Sequence, residues 1–175
     1  PLLSDQRVAI IGAGPCGLTA AQDVRRAGYG VTIFEAMPVP GGMLRLGVPE
    51  YRLPTEIIER EVQDITDLGI DLRLNHRIDN LDEVFEQGFD AVLIAVGAHE
   101  GIRLPIPGAD LEGVIVNTHF LRDVRLGKYS PGNGESEDKG TAAPAILGKR
   151  VLVLGGGNVA VDCARRPPAH REDES

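Results

Sequence analysis

The stretch Arg7-Val8-Ala9-Ile10-Ile11-Gly12-Ala13-Gly14-Pro15-Cys16-Gly17 decides the fold. Its first half is short, apolar and rich in β-branched side chains, as in a parallel strand buried on both faces. Gly12 then permits a tight turn out of that strand. Gly14 leaves the backbone bare where a side chain would block an approaching group, and Gly17 lets the next helix pack closely on the strand. That helix is expected over residues 15–27, with Gly17, Ala20, Val24 and Ala27 on one face and Gly28 as its stop. Residues 31–34 supply a second strand, closed by Glu35.

Strand, glycine turn, helix and second strand make a β-α-β unit, the context in which a Gly-x-Gly-x-x-Gly run reads as a dinucleotide fingerprint. A helix start presents unspent N–H groups and a partial positive charge, which suits a diphosphate. Glu35 follows about 20 residues on, where a carboxylate accepts hydrogen bonds from the ribose hydroxyls. The expected contacts are Gly12, Ala13, Gly14, Pro15, Gly17 and Glu35. A carboxylate at that place repels a 2′-phosphate, so FAD or NAD fits the first site and NADP does not.

Residues 36–53 read as a loop containing Pro40-Gly41-Gly42-Met43-Leu44-Arg45-Leu46-Gly47-Val48-Pro49-Glu50-Tyr51-Arg52-Leu53. A nicotinamide-only domain usually passes from its second strand straight into a crossover helix. The paired glycines here allow close backbone approach to a planar ring, which favours FAD. Pro54 then opens a helix with Ile58, Val62 and Ile65 inward, ended by Gly69. Residues 70–75 alternate apolar and polar, predicting a half-exposed strand. A short helix is expected near 81–86, and residues 91–96 read as a strand buried on both faces. Residues 113–116 suggest a weak strand, 118–126 a helix, and 127–148 an exposed linker.

A second fingerprint, Gly155-Gly156-Gly157-Asn158-Val159-Ala160, follows the apolar residues 151–154. Gly155, Gly157 and Ala160 fill the three small-residue positions, while Asn158 and Val159 open the helix. Pro167-Pro168 stops that helix early. Two fingerprints in one chain suggest hydride passing between two dinucleotides, usually a flavin and a nicotinamide.

Composition narrows the alternatives. The chain has 175 residues, 42% of them hydrophobic and 25% charged, as in an ordinary globular protein. A formal net charge of −8 argues against a nucleic-acid surface. No apolar run approaches a membrane span and no cleavable leader is evident, so the expected compartment is the cytoplasm. The two cysteines, Cys16 and Cys163, form no CxxC and are too few for an iron–sulfur cluster. They read as small buried side chains. His76, His99, His119 and His170 read as surface or capping residues, and the carboxylates of residues 56–67 as a solvated helix face. No catalytic acid or base and no metal ligand is expected, because the reactive atoms belong to the cofactors.

The GAGPCGL start, the acid-ended second strand, PGGMLRLGVPEYRLP, DAVLIAVGA and GKRVLVLGGGNVAVD occur here in one order. That order resembles the glutamate synthase small-subunit family of flavoproteins. Its relatives include the flavin/NADPH part of dihydropyrimidine dehydrogenase and the NADP-reducing subunit of ferredoxin transhydrogenases. The resemblance runs over about residues 7–165. It implies an α/β fold: a Rossmann-like FAD-binding unit with a parallel sheet, followed by the start of a second, NAD(P)-binding unit. By that resemblance residues 1–105 are the N-terminal part of an FAD domain, 106–148 a connector, and 149–175 the incomplete beginning of an inserted NAD(P) domain.

The same resemblance implies an oxidoreductase carrying electrons from NAD(P)H through FAD to iron–sulfur clusters, which lie in a missing domain or a partner subunit. It places Gly12 to Gly17 on the FAD pyrophosphate and Glu35 on the adenosine ribose. It sets Gly42, Met43 and Arg52 along the flavin side and the backbone of Ile78 at the adenine end. Ala95 and Gly97 match a second flavin-contacting turn, and Gly155, Gly157, Asn158, Val159 and Ala160 the nicotinamide site. A chain beginning at Pro1 and meeting a polar tail after Arg166 reads as a truncated segment. The alternative is a non-catalytic module whose dinucleotide groove is empty.

Overall fold

The computed structural model describes residues 4–128 and 151–165. Four strands, β1 (Arg7–Ile11), β2 (Gly30–Phe34), β3 (Asp71–Arg73) and β4 (Ala91–Ile94), form one sheet in the order β3-β2-β1-β4. Every pairing is parallel, with Val8 opposite both Val31 and Ala91, and Thr32 opposite Asp71. Parallel neighbours need crossovers, and helix α1 (Pro15–Arg26) makes the one between β1 and β2.

Alternation along the two inner strands sorts their side chains onto two faces. Ile10, Val31 and Ile33 join Leu18 and Ala21 of α1, and Ile58 and Val62 of α3 (Thr55–Thr66), in the larger core. Ala9 and Phe34 point the other way, onto Val84 of α4 (Asp82–Glu86) and Phe89. Ile10 is fully enclosed, so truncation to alanine there costs about 2–5 kcal/mol. The consequence is a rigid pair of strands whose C-terminal ends hold the glycine turn and Glu35.

Several expectations are corrected. The enclosed face of α1 is Gly17, Leu18 and Ala21, with Ala20 and Val24 beside it, while Ala27 caps the helix and is exposed. Within the loop of residues 36–53 lies a short helix, α2 (Gly42–Leu46), entered through Gly41 at φ 106°. The segment 91–96 is not buried on both faces. Among the described residues β4 pairs only with β1, at the sheet edge, and Ile94 is 58% and Val96 51% exposed. Residues 113–116 form no strand; a turn there leads into α5 (Asn117–Arg125). Residues 151–154 precede α6 (Asn158–Ala164) but pair with no strand among the described residues. Cys16 is exposed and Cys163 half-buried, contrary to the buried reading. Most of the expected linker and Pro167-Pro168 lie outside the described residues.

Candidate functional site

The first glycine turn is built almost wholly from main chain. A Cβ on Gly12 (φ 109°) would stand 2.4 Å from the Ala95 carbonyl oxygen, and one on Gly17 would stand 1.9 Å from the Gly12 oxygen. One on Gly42 would stand 2.8 Å from the Gly14 Cα. Three segments distant in sequence therefore meet backbone to backbone. Hydrogen bonds fix the meeting: the Gly12 amide donates to the Phe34 oxygen, the Ala95 amide to Ile11, and the Gly41 amide to Ala13, each at 2.8 Å. Gly42 makes its close approach to Gly14, while Gly41 lies against Arg45 and Ile58.

Glu35, only 7% exposed, closes the turn. One carboxylate oxygen accepts from the Ala13 amide at 2.7 Å and the other from the Met37 amide at 2.8 Å. Each oxygen keeps a further acceptor position. The two amide donors satisfy the carboxyl group where burial removes water. Beside it, α1 starts at Gly14 without a side-chain cap and with Pro15 in its first turn. Its first-turn amides have no partner within the helix.

The remaining expected residues divide. Ala95 belongs to the turn cluster, whereas Gly97 (φ 67°) stands just beyond in open space. Ile78 lies on the face of Ala9 and Phe34, and its segment is drawn alongside Glu35 by the bond from the His76 amide to the Glu35 carbonyl. Met43 and Arg52 line a hollow of about 420 Å³ with Asn117, Leu121, Asn158 and Val159. The loop around Met43 to Arg52 and the start of α6 therefore line one hollow.

That second turn is more open. Gly155 has φ 126° and meets Ala160, while Gly156 and Gly157 have nothing within 4 Å of an added Cβ. A larger hollow of about 540 Å³, around Gln6, Asp23, Tyr29 and Asp90, lies at the N-terminal ends of β1 and β4. Open parallel sheets bind ligands at the opposite ends, so the glycine turns carry the argument.

Arg52 does not stand free. Its Nε donates to Asp162 of α6 at 2.7 Å, and the Tyr51 hydroxyl donates to the same oxygen at 2.5 Å. The Tyr51 bond, then the Arg52 bond and charge, hold the Asp162 carboxyl below the usual range, while Asp162 holds Arg52 above its own. Burial, with Asp162 nearby, pushes the Cys163 thiol up. Arg125 of α5 is pulled down by burial and by Arg45, and is tied to Glu50 and the Arg45 carbonyl. Sequence reasoning missed Gly41, Tyr51 and Asp162. The Gly41-Gly42 pair was a signal for the first, but nothing local marks a contact across more than a hundred residues.

A parallel sheet, a side-chain-free turn at its carboxyl end and an enclosed acid closing the second strand define a dinucleotide-binding α/β domain. Comparison with known proteins agrees. The family model described as pyridine nucleotide-disulphide oxidoreductase matches residues 6–167. The chain belongs to that family. It is 45% identical over 166 residues to the NADP(+)-dependent formate dehydrogenase subunit beta of Moorella thermoacetica, covering 93% of this chain and 22% of that protein. It is 37% identical over 163 residues to the glutamate synthase [NADPH] small chain of Mycobacterium tuberculosis, covering 92% and 33%. Among solved structures, Mycobacterium tuberculosis FprA in complex with NADPH is similar with a TM-score of 0.62 and 27% identity, over 69% of this chain and 29% of that one. The chain thus spans between about a fifth and a third of the length of these proteins. Among the described residues no helix is long and apolar enough to cross a membrane.

Proposed function

We propose that this chain supplies the FAD-holding unit, and the start of the NAD(P)H-holding unit, of a cytoplasmic flavoprotein oxidoreductase. Electrons would pass from NAD(P)H through FAD to iron–sulfur clusters in another domain or a partner subunit, as in glutamate synthase small-subunit relatives. One observation carries the reading: the enclosed Glu35 carboxylate sits 2.7 Å from the Ala13 amide of a turn that added methyl groups would choke.

The residues present fit a dinucleotide. Gly12, Ala13, Gly14, Pro15 and Gly17 offer a bare backbone and a helix start to the diphosphate, and Glu35 offers its remaining lone pairs to the ribose. Gly42 closes the turn from above, with Met43 and Arg52 toward the ring side, Ile78 toward the adenine, and Ala95 and Gly97 along the strand end. Gly155, Gly157, Asn158, Val159 and Ala160 would take the nicotinamide dinucleotide. When bound, the flavin supplies the hydride-accepting ring, so the protein needs only to hold, orient and shield the reactants. By this reading residues 1–105 hold FAD, 106–148 connect, and 149–175 begin the second unit.

The openness of Gly156 and Gly157, and the unpaired residues 151–154, favour a second reading for that unit alone, an unoccupied groove. Titrating the chain with FAD, followed by flavin fluorescence and then by bleaching with NADPH, tests both. Saturable FAD binding weakened at least about tenfold by Gly14→Val supports the first site. Absence of saturation, or indifference to Gly14→Val, overturns it. Bound flavin that NADPH does not bleach leaves the second groove empty.

A further inference from the structure

Helix α6 and the turn ahead of it have no strand of their own to seat them, since residues 151–154 pair with none among the described residues. What seats α6 is its packing on α5 and one carboxylate. Asp162 lies one helical turn beyond Asn158, on the same face, and both line the hollow shared with Met43 and Arg52. Its oxygen receives the Tyr51 hydroxyl at 2.5 Å and the Arg52 Nε at 2.7 Å. The Arg165 guanidinium, at the C-terminal end of the same helix, lies 4.5 Å from the centre of the Tyr51 ring. The Asp162 side chain is 11% exposed against 44% for Arg52. The acid is therefore the less exposed partner, and the two donors converge on it.

Tyr51 and Arg52 follow directly from the loop whose Gly42 presses on Gly14. Gly42, close to Gly14, leads through α2 and residues 47–50 to Tyr51 and Arg52, and these bond Asp162 on the helix that follows the Gly155–Gly157 turn. We infer that Asp162 is a positioning residue, fixing the second glycine turn against the flavin-side loop so that the two turns keep one mutual geometry. The role of that geometry in electron transfer rests on the proposed function; the seating of α6 does not.

Backbone hydrogen exchange in the 175-residue chain reads the seating without any ligand. Asp162→Asn and the gentler Tyr51→Phe each raise exchange in α6 by about twofold or more, with α1 as the unchanged internal reference. In the double variant the two effects are less than multiplicative, because both act through one oxygen. Unchanged α6 exchange in both single variants, or fully independent effects, overturns the inference. With FAD bound, Asp162→Asn lowers the limiting rate of flavin bleaching by NADPH by about 10- to 100-fold, the scale of ångström misplacement. The FAD dissociation constant stays as in the parent chain. An unaltered limiting rate refutes the positioning role, whereas a parent chain that takes up no FAD refutes the proposed function and leaves the exchange result to decide the seating.

Discussion

Replacing Gly17 by alanine sets two effects of opposite sign against each other. Gly17 sits inside α1 with no positive φ, so helix propensity alone predicts a gain of about 1 kcal/mol. The new methyl, however, would stand 1.9 Å from the Gly12 carbonyl oxygen and 3.1 Å from its carbon. Those are backbone atoms, and Gly12 is itself pinned by its amide bond to the Phe34 oxygen and by the Ala95 carbonyl beside it. Overpacking costs about 1–3 kcal/mol, and a pinned backbone neighbour places this case at or above the upper end. The net result is a loss of about 2 kcal/mol or more, a fall in Tm of about 4–8 °C for a chain of this size. Thermal melting followed by circular dichroism reads it directly. Gly156→Ala is the control, having no atom within 4 Å of the added carbon, and should stay within about 0.5 kcal/mol of the parent. A Gly17→Ala melt at or above the parent value would show that the turn is soft, and the rigid main-chain cradle would go with it.

Three further outcomes follow from the geometry. Glu35→Gln turns an NH2 group toward one of the two amides that the carboxylate accepts; it should cost about 1–3 kcal/mol in urea unfolding and weaken FAD binding. Equal stability would place the carboxylate in water. The Asp162 carboxyl titrates below its ordinary 3.8, so its bonds are complete above that value and are lost only as pH falls through the lower folded one. The groups facing it are Tyr51, Arg52, Arg165 and the thiol of Cys163. Opening of α6, taken from exchange after correction for intrinsic rates, should therefore be flat between about pH 5 and pH 8, and a step near neutrality would contradict this. Ile94 is exposed on an edge strand, so Ile94→Lys should reduce self-association in sedimentation with stability changed by no more than about 0.5 kcal/mol. Identical association would mean the edge is already shielded.

The half of the molecule that carries the first turn was legible because its signals are local. β-branched runs gave β1 and β2, glycines at fixed offsets gave the turn, and Glu35 stood where the second strand ends. The face of α1 was misjudged because the period-3.6 stripe was extended to Ala27, one residue past the last helical turn. β4 was read as doubly covered because Ala91 to Ile94 are all apolar; composition reports what a strand could bury, and among the described residues Ile94 and Val96 stay more than half exposed. The same holds for residues 151–154, an apolar run that pairs with no strand among the described residues. Arg52 is also tied to Asp162, a pairing between the loop after α2 and helix α6 that spacing does not reveal.

The way Gly12 nestles under the Ala95 carbonyl bears on how such a protein is born. A nascent chain that has left the ribosome only as far as α3 carries the whole Gly-Ala-Gly-Pro run, yet nothing presses on the turn from the β4 side. Under the proposed function, FAD capture during synthesis would wait until the segment ending at Ala95 has emerged and docked against Ile11. A starved or paused translation complex would display the motif without the grip.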